Sequence, residues 1–169
     1  MPTSVLPALP IARGRSILMV FAIVAALIFS SGSFAAPAAE ANTDKLKKAV
    51  KITANQKGDP YNYGSAGPDR FDCSGLTYFA FKRAGFRNIP RTSRQQANFA
   101  KRIPRKQMKR GDFVFFHNNG SVYHMGVYGG RNKKTGKRFI IHAPYGGKRV
   151  HRAPIWANNW FAGTVRHRL

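Results

Sequence analysis

The sequence changes its pattern at Gly111, and this change constrains the fold more than any other feature. Before Gly111 the spacing of apolar residues predicts helices over residues 45–57, 73–84 and 92–100. After it, short runs rich in β-branched and aromatic residues alternate with Gly-rich or Asn-rich turns. The predicted strands are residues 113–116, 123–128, 138–143, 148–152 and 163–168. Helices followed by strands predict an α+β domain in which N-terminal helices pack on a C-terminal antiparallel sheet.

The start of the chain has the order of a secretory signal peptide. Arg13 and Arg15 precede an unbroken apolar run over residues 17–29, and small residues follow. Cleavage is predicted after Ala35 or Ala41. A retained membrane anchor is the alternative, although the apolar run is short of the roughly 20 residues that a bilayer core requires.

Residues 1–41 are therefore assigned to the signal peptide, and residues 42–169 to a single catalytic domain. Residues 36–43 are expected to form a short disordered lead-in. A domain of this length can bury a core of its own. We expect the mature protein to be secreted or associated with a bacterial cell wall. We also expect it to act as a monomer.

The chain is strongly basic, with a net charge of +23 from 29 Lys and Arg against 6 acidic residues. The predicted signal peptide carries few of these charges, so the mature domain keeps nearly all of the excess. Such a domain favours a polyanionic environment. For an exported protein this predicts contact with an anionic cell envelope rather than specific nucleic-acid binding, and exposed charges make such contact salt-sensitive. A merely solvated basic surface is the alternative.

Cys73 is the only cysteine, so no internal disulfide can form. It lies in the sequence Asp72-Cys73-Ser74-Gly75, where a Gly-rich loop meets a predicted helix. The partial positive charge and free N–H groups of a helix N-terminus favour a thiolate, so we expect a lowered pKa for Cys73. The same N–H groups can hold an oxyanion. A small buried hydrophobe is the alternative interpretation.

A cysteine nucleophile needs a base, and two histidines lie in predicted strands. In adjacent antiparallel strands, His124 and His142 can be neighbours on one face. One could then accept the thiol proton while the other orients it. Each histidine taken alone is more typical of a satisfied core or surface residue.

Other chemistries have weaker support. One cysteine without a C-x-x-C or H-x-x-H pair does not favour zinc, so no metal or cofactor is predicted. Asp72 and Asp112 are the only acidic residues in positions that look ordered, which argues against a paired-carboxylate glycosidase. No G-x-S-x-G sequence indicates a serine nucleophile.

The segment YNYGSAGPDRFDCSGL, residues 61–76, resembles the active-site segment of the NlpC-type cell-wall cysteine peptidases, a family in the papain-like superfamily. Further blocks match in the same order. They are PRTS at 90–93, RGDFVFF at 110–116, HMGVY at 124–128 and IHAP at 141–144. The resemblance spans roughly residues 45–168.

The resemblance implies a papain-like α+β fold with Cys73 as nucleophile, His124 as general base and His142 as the residue that orients it. It also implies that Tyr63 and the N–H of Cys73 bind the oxyanion, although many relatives carry Trp where this chain has Tyr63. The positions that match the family's substrate groove are Asp72, Ser74, Arg91 and Ser93.

The implied activity is cleavage of peptidoglycan stem peptides, commonly at the bond between D-glutamate and the diamino acid. Two alternatives stay open. A related cysteine–histidine amidase would cut between sugar and peptide. A cationic envelope or nucleic-acid binder would need no thiol.

Overall fold

A computed structural model describes residues 36–168 of the chain, with side chains described from residue 43. These residues belong to one compact unit. Three helices come first in the chain: α1 (Ala36–Asn55), α2 (Cys73–Ala84) and α3 (Ser93–Phe99). An ordered loop over residues 56–72 joins α1 to α2 and brings the chain to Cys73.

Six strands and one 3₁₀ turn (Arg105–Gln107) follow. The strands are β1 (Lys101–Ile103), β2 (Phe113–Asn118), β3 (Ser121–Arg131), β4 (Arg138–His142), β5 (His151–Pro154) and β6 (Trp160–Thr164). They form one sheet in the order β1-β6-β2-β3-β4-β5, and every neighbouring pair is antiparallel. The sheet confirms the predicted α+β class.

The apolar run at 113–116 forms the part of strand β2 that lies in the centre of the fold. All four side chains of this part of β2 are buried, because strand β2 is covered on both faces. Phe113 and Phe115 face the helices, and Phe113 packs edge-on against Phe81 of α2 at 4.8 Å between ring centroids. Val114 and Phe116 point to the opposite face, since side chains alternate along a strand, and join a second apolar cluster there.

Helix α2 forms where the sequence predicts it. Its Leu76, Ala80 and Phe81 are buried, and Gly85 ends the helix in the left-handed conformation, with φ of 102°. Helix α3 also lies within its predicted range, and Thr92 and Gln95 form a reciprocal capping box at its start.

The disordered lead-in predicted for residues 36–43 is wrong, because α1 already begins at Ala36. The stretch is rich in alanine, the strongest helix former, and Pro37 is tolerated in a first helical turn. Strand β1 was not predicted. Strand β5 begins at residue 151 instead of 148, and strand β6 covers 160–164 instead of 163–168.

The predicted signal peptide over residues 1–35 lies outside the described residues. A cut after Ala41 would fall inside α1, whereas a cut after Ala35 would leave this helix whole. Both cleavage points stay predictions. Among the described residues, no helix is long and apolar enough to cross a membrane.

Candidate active site

The start of α2 is fixed by Asp72 and Gly75. Asp72 caps the helix, since its Oδ1 accepts a hydrogen bond from the backbone N of Gly75 at 2.6 Å. A Cβ added at Gly75 would lie 2.0 Å from the carbonyl oxygen of Ser65. Only glycine therefore lets the preceding loop cross the first turn of the helix at this distance, and this crossing holds Cys73 at the loop–helix junction.

Cys73 is partly buried and packs against the main core cluster. The backbone N–H groups of Met125, Ser74 and Cys73 itself form hydrogen bonds that favour its thiolate. Burial and the nearby charge of Asp72 outweigh them and raise the pKa of Cys73 to about 11. The expectation of a lowered pKa is therefore wrong for this protein, because burial of the thiol, and then the charge of the acidic cap beside it, disfavour the thiolate.

The two predicted histidines come together. His124 on β3 and His142 on β4 are both buried, and Nε2 of His124 lies 2.8 Å from Nδ1 of His142. Gly126 makes room for the contact, because a Cβ there would lie 3.1 Å from Cβ of His142. Burial lowers the pKa of His124 to about 4. Burial and then the charge of His124 lower the pKa of His142 to about 3.

The short contact also restricts the tautomers of the pair. If His124 is to accept a proton from the thiol, its free nitrogen must be Nδ1, since Nε2 is engaged with His142. Nε2 of His124 then donates, and Nδ1 of His142 accepts. His142 consequently carries its own proton on Nε2, which is buried without a hydrogen-bond partner among the described residues.

Three of the residues assigned to the substrate groove form one ion-paired network. Arg91 donates from both terminal nitrogens to Asp72, at 3.1 Å to Oδ1 and 2.6 Å to Oδ2. It also contacts the hydroxyl of Ser74 at 3.3 Å, and this hydroxyl donates to Asp72. Burial raises the pKa of Asp72, but the hydrogen bonds from Arg91, Gly75 and Ser74 together bring it below the ordinary value.

This network gives Asp72, Ser74 and Arg91 a structural role at the start of α2. Their contacts with substrate stay a prediction. Asp72 and Ser74 are buried, while Arg91 is partly exposed. Ser93 is the first residue of α3 and is also partly exposed. These two are the members of the predicted groove whose side chains reach the surface most.

The sequence singled out Tyr63, but the charge of Cys73 acts on the nearby hydroxyl of Tyr61. Burial raises the pKa of Tyr61, and the charges of Cys73 and Asp72 raise it further. Tyr63 is 85% exposed. Tyr61 is held by a bridge to Phe71 across the loop and by its ring contact with Tyr145 at 5.7 Å. Because this bridge joins residues ten positions apart, nothing in the local sequence separates the two tyrosines.

Sequence reasoning also missed Trp156, which lies in the loop between β5 and β6. Its ring stacks on Phe116 with 4.4 Å between centroids and an interplanar angle of 13°. It also lies 5.8 Å from the ring of His124 and 5.1 Å from that of His142. Trp156 therefore packs against both rings of the histidine pair. No periodicity or motif in the sequence marks this position.

The described residues hold no group of three or more His, Cys, Asp or Glu side chains that could bind a metal ion. What they do hold is a cysteine at a helix N-terminus and a histidine pair on the adjacent sheet. This combination defines the class of papain-like cysteine peptidase folds.

Comparisons with known proteins narrow the class to a family. The family model described as NlpC/P60 family matches residues 58–168, and the chain belongs to this family. It is 35% identical over 131 residues to the murein DD-endopeptidase MepH of Escherichia coli (strain K12), covering 72% of this chain and 46% of that protein. It is 38% identical over 96 residues to the gamma-D-glutamyl-L-lysine dipeptidyl-peptidase of Bacillus subtilis (strain 168), covering 55% of this chain and 30% of that protein.

Among solved structures, the peptidoglycan hydrolase RipB of Mycobacterium tuberculosis superposes with a TM-score of 0.63 at 26% identity, covering 75% of this chain and 67% of that one. The chain spans about half the length of the first curated relatives that it matches. The part that the family model matches, residues 58–168, carries Cys73, His124 and His142.

Proposed function

We propose that this protein is an exported peptidoglycan hydrolase, a cysteine endopeptidase that cuts stem peptides of the bacterial cell wall. The observation that carries the proposal is the His124–His142 contact at 2.8 Å, in which His124 lies on β3, the strand that packs against the helix beginning at Cys73. Family membership and the relatives named as murein or glutamyl-lysine peptidases support the substrate class.

The reaction begins from a neutral thiol and a neutral histidine pair. A pKa of about 11 for Cys73 and about 4 for His124 leaves almost no thiolate–imidazolium pair at neutral pH. The thiol proton therefore moves to Nδ1 of His124 as the sulfur attacks the carbonyl carbon of the peptide bond. The imidazolium so formed is stabilised by Nδ1 of His142, which accepts from its Nε2–H.

The oxyanion that forms on the substrate is held by the backbone N–H of Cys73. The hydroxyl of Tyr63 is predicted to help bind the oxyanion. The position of Tyr61 makes its hydroxyl the second candidate for this role. His124 then gives its proton to the leaving amine, and the thioester remains on Cys73. Water, deprotonated by His124, hydrolyses the thioester and restores the thiol.

Digestion of purified peptidoglycan by the wild type and by Cys73→Ala tests the proposal. We expect the wild type to release fragments with a new amino terminus inside the stem peptide, and Cys73→Ala to release none while keeping its thermal unfolding midpoint. Fragments with a free sugar lactyl group would instead identify an amidase. Wild-type binding without any product would identify a binding protein. Full activity of Cys73→Ala would contradict the proposed nucleophile.

The bond that we propose is the one between D-glutamate and the diamino acid. The relatives divide on this point, since one is named for a DD-endopeptidase activity and another for a glutamyl-lysine bond. The same digestion decides between them. Fragment masses separate cleavage within a stem from cleavage of a cross-link between two stems.

We further propose that the basic surface binds the anionic envelope in which the secreted monomer works. Five basic side chains line a cleft of about 600 Å³ between α1 and the segment before β2. Its basic lining residues are Lys47, Lys51, Lys109, Arg110 and Arg166, above an apolar floor of Leu46, Val50 and Ala54.

Co-sedimentation with cell-wall sacculi at low and high salt tests this binding. The triple variant Lys47→Gln, Lys51→Gln, Arg110→Gln removes charge from the cleft. The variant Lys133→Gln, Lys134→Gln, Lys137→Gln removes the same charge from the tip between β3 and β4. We expect both to bind more weakly at low salt, the cleft variant more so. Salt-independent binding would contradict the electrostatic proposal.

A further inference from the structure

Trp156 is the one large aromatic side chain among the described residues that is both strongly exposed and in ring contact with both catalytic histidines. Trp156 is 53% exposed, so part of its side chain is turned to solvent. One face of the indole lies parallel to Phe116, which itself is fully buried at the centre of the sheet. This stacking fixes the plane of the indole against a rigid element rather than against another loop.

The two histidines meet the same indole. The ring of His142 lies 5.1 Å from it at an angle of 36°, and the ring of His124 lies 5.8 Å away at 44°. Because the histidine rings stand at 77° to each other, their mutual contact depends on both planes being held. A ring that touches both can hold this angle, which the hydrogen bond alone leaves free to rotate.

We propose that Trp156 is a positioning residue of this site: it covers His124 and His142, excludes water from them and fixes the ring orientation in which His124 accepts the thiol proton. This inference rests on the proposed cysteine peptidase function. It adds a residue that lies outside the predicted nucleophile, base, orienting residue and substrate groove.

Two effects of the indole on the histidines oppose each other. Its π face attracts an imidazolium, which would raise the pKa of the pair. Its bulk keeps water away, which lowers the pKa. Burial brings the pKa of His124 from 6.5 to about 4, a larger change than a half-exposed cation–π contact supplies. Removal of the ring should therefore raise the pKa of the pair.

Other groups near the pair also have to be considered. Cys73 and its neighbour Asp72 lie at the start of α2, the helix that packs against β3. His151 lies 4.8 Å from the ring of His142 on the neighbouring strand β5, and Lys148 precedes that strand. The charges of His151 and Lys148 lower the pKa of His142, and neither is removed by a change at Trp156.

The kinetics of Trp156→Ala and Trp156→Phe measure how much Trp156 contributes to the orientation and pKa of the histidine pair. We expect Trp156→Ala to lower kcat about tenfold or more, because a misoriented base loses part of its contribution. KM should stay within about twofold, and the acid limb of kcat should move to higher pH. Trp156→Phe keeps a ring on Phe116 and should retain most of kcat.

Tyr123→Ala is the matched control. Tyr123 is 51% exposed and also contacts Phe116, at 6.5 Å, but the described ring contacts do not join it to either histidine. Its removal should leave the acid limb in place. A change of KM alone in Trp156→Ala would show a substrate contact and would overturn the proposal, as would an unchanged kcat and acid limb.

A fluorescence titration tests whether Trp156 covers the two histidines, and it does not depend on an activity assay. The chain has two tryptophans, so Trp160→Phe leaves Trp156 as the only emitter. A protonated imidazole quenches indole emission, so we expect quenching with a midpoint well below pH 6.5. His151→Gln should keep this quenching and raise its midpoint slightly, because the charge of His151 lowers the pKa of His142. A midpoint near 6.5 that His151→Gln abolishes would overturn the proposal. This titration decides even if Trp156→Ala fails to fold, and it remains informative if the wild type proves inactive on peptidoglycan.

Discussion

At the scale of single residues, the ionisation of Cys73 is governed by neighbours of opposite effect. Three backbone N–H groups favour the thiolate, while burial and Asp72 disfavour it and prevail. Asp72 is held in place by Arg91, whose guanidinium contacts both carboxylate oxygens. The residue that caps the helix thus also raises the pKa of the nucleophile, so a change at Asp72 should act on both stability and reactivity.

We expect Asp72→Asn to speed alkylation of Cys73 by iodoacetamide at pH 8. The amide can still cap α2, but it removes the negative charge and leaves Arg91 beside the thiol. Both changes lower the pKa of Cys73, and each unit of pKa is worth about tenfold in thiolate at this pH. The wild type should label slowly at neutral pH and faster as the pH rises toward 11.

Asp112→Asn is the control for that experiment. Asp112 is buried and pairs with Arg166 at 3.1 Å, so its loss should also destabilise the fold. Asp112 is not among the groups that shift the pKa of Cys73. If both variants changed the labelling rate equally, local unfolding rather than the charge of Asp72 would be the cause.

At the scale of secondary-structure elements, the junction of the loop and α2 positions the nucleophile. Gly75→Ala places a methyl group 2.0 Å from the carbonyl oxygen of Ser65, which is backbone and cannot rotate away. We expect a loss of stability of about 1–3 kcal/mol, typical of overpacking, and a larger loss of kcat because Cys73 moves with the loop.

Urea unfolding and digestion assays on the same preparations measure the two losses. Gly129→Ala on β3 is the control, since its nearest contacts would be ordinary ones at 3.7 Å. It should leave both quantities nearly unchanged. Wild-type activity in Gly75→Ala would show that the loop shifts without moving the thiol.

The elements also show what the sequence could and could not predict. Helix α2 was predictable from end to end because its cap, its apolar residues and its terminal Gly85 are all local signals. The histidine pair was predictable because both residues lie in clear strand patterns of neighbouring strands. Tyr61 and Trp156 were not, since their positions depend on contacts between the site and distant loops. The pKa of Cys73 was mispredicted because the effect of burial has no local signature.

At the scale of the whole molecule, the buried histidine pair links the site to the pH dependence of folding. Above pH 6.5 both histidines are neutral in the folded and unfolded chain, so they add no dependence there. As the pH falls from 6.5 toward 4, the two histidines bind protons in the unfolded chain but stay neutral in the folded chain. Stability is therefore fully present above pH 6.5 and is lost as the pH falls through that window.

The lowered pKa of Asp72 adds a separate loss at more acidic pH. Its carboxylate is stabilised in the fold by Arg91, Gly75 and Ser74, so protonation weakens the folded state below the ordinary value of 3.8. This contribution is present above pH 3.8 and disappears as the pH falls through the folded pKa. The histidine effect therefore begins at a higher pH than the carboxylate effect, and the two can be separated.

Urea unfolding of the wild type and of His142→Asn between pH 8 and pH 4.5 isolates the histidine effect. A depression of pKa from 6.5 to about 4 corresponds to about 3 kcal/mol for one histidine. His142→Asn removes one titrating ring and keeps a side chain that can accept from Nε2 of His124. We expect the variant to lose clearly less stability than the wild type between pH 6.5 and 4.5. Equal losses in the two proteins would show that the acid sensitivity arises outside the histidine pair.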